Sequence, residues 1–126
     1  MSQSIKLFML PGNYVAVEIE AEKSIELIRG LQKLLGKGGE DVDDTIRMIE
    51  HFNEFYSLMQ RKFKDFLTPR KSISDLIKEN VLVDKIKLSI KDGKKIVVIV
   101  FDKSITLPIL ETALTQLGYT VEKDTK

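Results

Sequence analysis

The residues with a claim to chemistry are few. His51 is the single histidine of the 126-residue chain, with Glu50 beside it and Glu54 three residues on. On a helix, Glu54 faces the imidazole. Such a pair can orient an imidazole for proton transfer or help hold a divalent metal. In helix-bundle metal sites, however, the glutamate precedes the histidine, and here the order is reversed. No second such pair exists to complete a shell. A hydrated, charged helix face explains the spacing as well. Serine nucleophiles fare no better, because there is no Gly-x-Ser-x-Gly elbow and one histidine alone to serve as base. The chain has no cysteine, which removes disulfides, thiolate ligands and cysteine nucleophiles and suits a reducing compartment. Between Gly30 and Gly39 the run GLQKLLGKGG imitates a phosphate loop. Its spacing is one residue too long, no Ser or Thr follows Lys37, and the segment leaves a helix where it should leave a strand. A helix-ending turn is the better reading. The expectation is a protein that is not an enzyme, with no cofactor, no metal and no small-molecule site.

Charge points to surfaces. Residues 1–58 carry ten acids against six bases, and residues 59–126 carry fourteen bases against nine acids, although the whole chain is only +1. Arg61, Lys62, Lys64, Arg70 and Lys71 place five bases in eleven residues. With Lys85, Lys87, Lys91, Lys94 and Lys95 they could neutralise the phosphates of a nucleic acid. Phe63 and Phe66 are interleaved with the first cluster, yet they continue an apolar stripe and are expected in the core. The strand-like run KKIVVIVF also lacks the glycine and aromatic positions of RNA-recognition sheets. Dipole complementation at a helix end is the competing account.

These residues need elements to position them. Val42, Ile46, Ile49, Phe52, Tyr56, Met59, Phe63 and Phe66 recur at steps of three and four, which predicts one long helix over 41–67. Acids open it and bases close it. Before it, residues 5–10 and 14–20 read as strands about a Pro11-Gly12-Asn13 turn, and 24–35 as an amphipathic helix ended by Gly36. After it, Thr68-Pro69 is a stop, and Ser72 with Asp75 caps a short helix through Glu79. Residues 85–91 and 96–101 form a hairpin about Asp92-Gly93. Thr106 and Pro108 open a helix that Gly118 closes, and 119–122 is a last short strand.

The fold class is therefore α+β in a single domain, 1–126: a small antiparallel or mixed sheet of four to five strands. It is built from two strand-strand-helix units, 1–35 and 85–122, joined by a long central helix and a short helix over 41–80. The doubly apolar strands 5–10 and 96–101 are expected at the centre of the sheet and the one-sided strands 14–20 and 85–91 at its flanks. If helices cover one face, the other presents Phe8, Leu10, Val98 and Val100 between an acidic rim, Glu18 and Glu20, and a basic rim, Lys85, Lys87 and Lys91. An apolar centre with a charged rim is how protein interfaces are built. A long helix crossing that second face would bury it instead. The long helix could also pair with its twin along a near-heptad seam.

The functional expectation is a non-enzymatic adaptor or regulatory module, homodimeric, with an unknown protein partner, and nucleic-acid binding as the alternative. No apolar run approaches the roughly 18 residues that span a bilayer, and no leader pattern opens the chain, so a cytoplasmic location without membrane contact is expected. Abundant charge with few amides leans toward a thermophilic source.

Overall fold

The structure of the chain, a computed structural model, describes residues 3–123. Its elements run β1 (Gln3–Leu10), β2 (Tyr14–Glu20), α1 (Ala21–Leu35), α2 (Glu40–Glu50), α3 (Phe52–Lys62), α4 (Ile73–Ile77), β3 (Val83–Lys91), β4 (Lys94–Phe101), α5 (Leu107–Gln116) and β5 (Tyr119–Lys123). The local signals act as chemistry requires. Asp92 and Gly93 take positive φ in the second hairpin, the backbone that a two-residue turn between twisted strands demands, and Gly12 and Asn13 do so in the three-residue loop that joins Leu10 to Tyr14 in the first. Gly36 closes α1 in the left-handed region, and the Ser72 hydroxyl accepts the Asp75 N–H at 3.0 Å to open α4.

The five strands form one mixed sheet in the order β3-β4-β2-β1-β5, in which only β1 and β5 are parallel. Two hairpins thus meet through their second strands, and β5 extends the sheet beyond β1. Because successive side chains alternate between faces, register sorts them cleanly. Leu7, Val17, Ile99 and Ile86 share one row, and all four are buried in a core that also takes Leu27, Ile28, Leu31, Ile46, Leu110 and Leu114 from the helices. The helices therefore lie on this face of the sheet.

The long helical stretch is broken where neither Gly nor Pro warns of it. At His51 the backbone leaves helical geometry (φ −106°, ψ 44°), so α2 ends and α3 begins. A straight rod of this length would run about 40 Å and overshoot the sheet. The break keeps Phe52 and Met59 in the same core as Ile46 and Ile49. The segment also ends earlier than its periodicity predicts: α3 stops at Lys62, and beyond it Leu67 exchanges two backbone hydrogen bonds with Ile86, each 2.8 Å, along the outer edge of β3.

Three aspartates anchor this linker. Asp41 is wholly buried. One of its oxygens accepts the Gly39 N–H at 2.9 Å, and the other accepts the Leu82 and Val83 N–H groups at 2.8 Å each. Asp44 accepts the Arg70 N–H at 2.8 Å and the Arg47 guanidinium at 2.7 Å. Asp75, on α4, accepts the Glu40 N–H at 3.1 Å and an Asn80 amide N–H at 3.3 Å. Gly39 lies so close that a Cβ there would stand 2.4 Å from the Asp75 carboxylate.

Two expectations follow. Replacing Asp41 with Ala strands two buried N–H groups and one partly buried and lowers the unfolding free energy in urea by about 3 kcal/mol. Asp41→Asn costs nearly as much, because its amide NH2 must face a donor; an Asn variant as stable as the parent would show that the carboxylate is dispensable. The second concerns pH. Burial works against ionisation of Asp44, but the Arg70 N–H and the Arg47 guanidinium outweigh it, and the carboxyl sits below the usual range. At Asp75 the Glu40 N–H, then Ser72 and Asn80, act in the same direction. Both groups hold protons less well folded than unfolded. Their stabilisation is complete above the unfolded value of about 3.9 and is lost as pH falls through the folded values. Stability measured from about pH 5 down to about pH 2 should fall steeply in the parent and less steeply in a D44N/D75N variant.

Candidate interaction surfaces

The face of the sheet turned away from the core collects the residues that sequence reasoning singled out. Register places Phe8, Ala16, Val100 and Lys85 in one row, and Glu122, Lys6, Glu18, Val98 and Lys87 in the next across all five strands. Leu10 lies opposite Tyr14, and Glu20 opposite Ile96. Phe8, Leu10, Glu18, Glu20, Lys85, Lys87, Val98 and Val100 therefore share one surface. Among the described residues no helix packs on it, so the long helix does not form a third layer. Ala16 and Val100 are nonetheless fully buried. They lie between Phe8 and Lys85, and the Lys85 ammonium stands 4.5 Å over the Phe66 ring. A floor of small side chains between larger ones is shielded without a roof.

The arrangement of charge on this face differs from the expected one. β2 sits at the centre of the sheet, so Glu18 and Glu20 form no rim. Lys91 reaches Glu18 at 2.8 Å and Lys94 reaches Glu20 at 3.6 Å. The acids that were to meet a second copy are thus engaged within their own chain. One-sided alternation was read as the mark of a flanking strand. It marks a central strand equally well when one whole face of the sheet is left open. The true rims are Lys85 and Lys87 on β3 and Glu122 on β5.

The basic residues do not form one patch. The Arg70 backbone is tied to Asp44, and the Lys71 ammonium donates to the Asp84 carbonyl at 3.0 Å. Lys91 and Lys94 are in the ion pairs above, and Lys95 stands 5.5 Å over the Phe52 ring. Arg61, Lys62 and Lys64 remain together and exposed at the end of α3. Between them stands Phe63, which the apolar stripe assigned to the core and which is instead 94% exposed. It caps α3 in the left-handed region (φ 52°, ψ 39°), where a bulky residue is strained by about 1–3 kcal/mol. Beside it a groove of about 540 Å³ opens between α3 and β3, floored by Tyr56, Met59, Leu88 and Ile90.

A second exposed apolar group escaped the sequence reading. Ile73, Leu76 and Ile77 on α4 all face solvent, and the helix buries none of its residues. No local signal gave it away, since Ile73, Leu76 and Ile77 lie opposite Ser74, Asp75 and Lys78 at the spacing of a helix that buries one face. His51 stands 3.8 Å from Glu54, both well exposed. Among the described residues no group of three or more His, Cys, Asp or Glu could hold a metal ion, and no helix is long and apolar enough to cross a membrane. No protein-family model, curated protein or solved structure matches the chain.

The strain at Phe63 can be measured. Phe63→Gly removes the left-handed penalty and adds backbone entropy to the unfolded chain, a net gain of roughly 0.5–1 kcal/mol in urea unfolding. A loss of stability would mean that the ring packs after all.

Proposed function

We propose that the protein is a non-enzymatic adaptor or regulatory module that works as a homodimer, paired through the open face of its sheet. The row Glu122, Lys6, Glu18, Val98 and Lys87 carries the reading. A two-fold axis running along β2 lays the β3 side of one copy over the β5 side of the other. Lys87 of each copy then meets Glu122 of the other at both ends of the row. In the neighbouring row Phe8 lies over Val100, and Ala16 over its twin. A surface that matches itself under rotation is what a closed pair requires, since both copies present the same patch.

The size also suits the reading. Five strands at about 4.8 Å and roughly six residues at about 3.3 Å give a projected footprint near 500 Å². Side-chain relief brings its accessible area toward the about 800 Å² per partner of a standard interface. The same axis sets Glu18 over its twin and Lys6 over Val98 of the other copy. Lys91 and Lys94 neutralise Glu18 and Glu20, and Lys6, the cross-strand neighbour of Glu18, adds a second positive charge beside the facing pair, which limits the unpaired charge that is costly to bury. The apolar helix α4 stays clear of the contact and is free to dock a further protein.

Light scattering at micromolar concentration tests the pairing. The parent should scatter with twice the chain mass, Lys87→Glu and Glu122→Lys should each shift it toward the monomer, and the double exchange should restore the dimer. A parent that stays monomeric at high concentration would overturn the reading.

A further inference from the structure

The end of α3 has features that neither folding nor the dimer contact explains. A helix C-terminus welcomes positive charge, but that does not account for an aromatic ring held out in water by a strained backbone. Arg61, Lys62 and Lys64 surround Phe63, are all exposed, and make no ion pair among the described residues. The adjoining groove adds Gln60 and Ser89 to its apolar floor. It also meets an unfinished strand edge. In the tight hairpin, Lys91 pairs with Lys94 across a two-residue turn, so Ile86, Leu88 and Ile90 point their backbone groups away from β4. Ile86 spends its pair on Leu67, while those of Leu88 and Ile90 have no backbone partner among the described residues.

We propose that this end of the molecule binds single-stranded nucleic acid, with Phe63 stacking on an unpaired base and Arg61, Lys62 and Lys64 neutralising the flanking phosphates. An isolated exposed ring among uncompensated cations is the arrangement that single-strand binders use. A duplex keeps its bases stacked on one another and offers the ring nothing. A lipid surface asks for several apolar side chains around the ring, whereas the residues on either side of Phe63 are charged. An acidic peptide would use the cations but offers the exposed ring no base to stack on. Asp65 also lines the groove and reduces, without cancelling, the positive surface. Lys87, on the far wall, belongs to the dimer contact proposed above, and the site does not need it.

Fluorescence anisotropy with labelled oligo-U and oligo-dT of about 12 nucleotides, within the usual span of single-strand sites, reads the proposal. Binding should weaken as salt rises from about 50 to about 200 mM. Phe63→Ala should lower affinity about tenfold with the salt slope unchanged, because a ring releases no counterions. The K62E/K64E variant should flatten the log-log slope by about 1.4. Comparison of the two oligonucleotides separates RNA from DNA as the preferred strand. Circular dichroism and the stability of Phe63→Gly, which suits the positive φ, show that any loss is not unfolding. No binding at low salt, equal affinity for a duplex of the same length, an undiminished Phe63→Ala variant, or Phe63-dependent capture by phosphatidylserine vesicles in place of oligonucleotide would each overturn it. The dimer variants are read separately by mass, so failure here leaves that reading intact.

Discussion

The buried carboxylate of Asp41 is the contact on which the arrangement of the two halves depends. It accepts N–H groups from the turn before α2 and from the residues that lead into β3. These donors are free because one belongs to a helix entry and the others to the entry of β3, Leu82 just before the strand and Val83 its first residue. A charge in the interior is costly unless its lone pairs are used, and here three are. The linker between the hairpins is thus fixed at its start and, through Asp44 and Asp75, along its length. The same polar seam seats α4, a helix with no buried residue of its own, beside the first turn of α2.

Once the linker is fixed on one side, the sheet can be roofed on that side only. α1 follows β2 directly, α5 returns the chain from β4 to the far edge, and α2 with α3 fills the remaining width. The bend at His51 belongs to this economy of space, since it turns α3 along β3 and keeps the core continuous. The other face has to be tolerated in water. The chain manages it with small residues on the floor, aliphatic and aromatic side chains beside them, and ion pairs such as Lys91 with Glu18 that are worth at most about 1 kcal/mol each when exposed.

Local chemistry made much of this legible in the sequence. Both hairpin turns, the Gly36 terminus, the Ser72 cap and the strand alternation are each decided by a few adjacent residues, and the structure agrees with each. Properties set by distant partners were not legible. Strand order was misjudged because alternation in β2 tells which residues face the core but not whether a neighbour lies on each side. The break at His51 has no local breaker; it follows from the width of a sheet that the helix cannot sense in sequence. Of the surface, the eight face residues were found because register follows alternation. The pairing of Lys91 and Lys94 with the central acids was missed because it depends on which strands adjoin.

Phe63 shows where periodicity and burial part company. Four residues after Met59, it continues the stripe that buries Phe52 and Met59, and a helix carried on to Leu67 would have buried it too. The helix ends at Lys62 because the chain must straighten to pair Leu67 with Ile86, and the residue after the last turn takes the left-handed conformation that closes it. Glycine or asparagine fits there without strain, and a polar side chain would meet water more comfortably. A phenylalanine therefore satisfies neither the backbone nor the solvent. The packing that would normally justify the ring is absent at a residue 94% exposed. The single-strand contact proposed above would use the ring in this position, and the basic residues on either side of it, Lys62 and Lys64, suit an anionic partner.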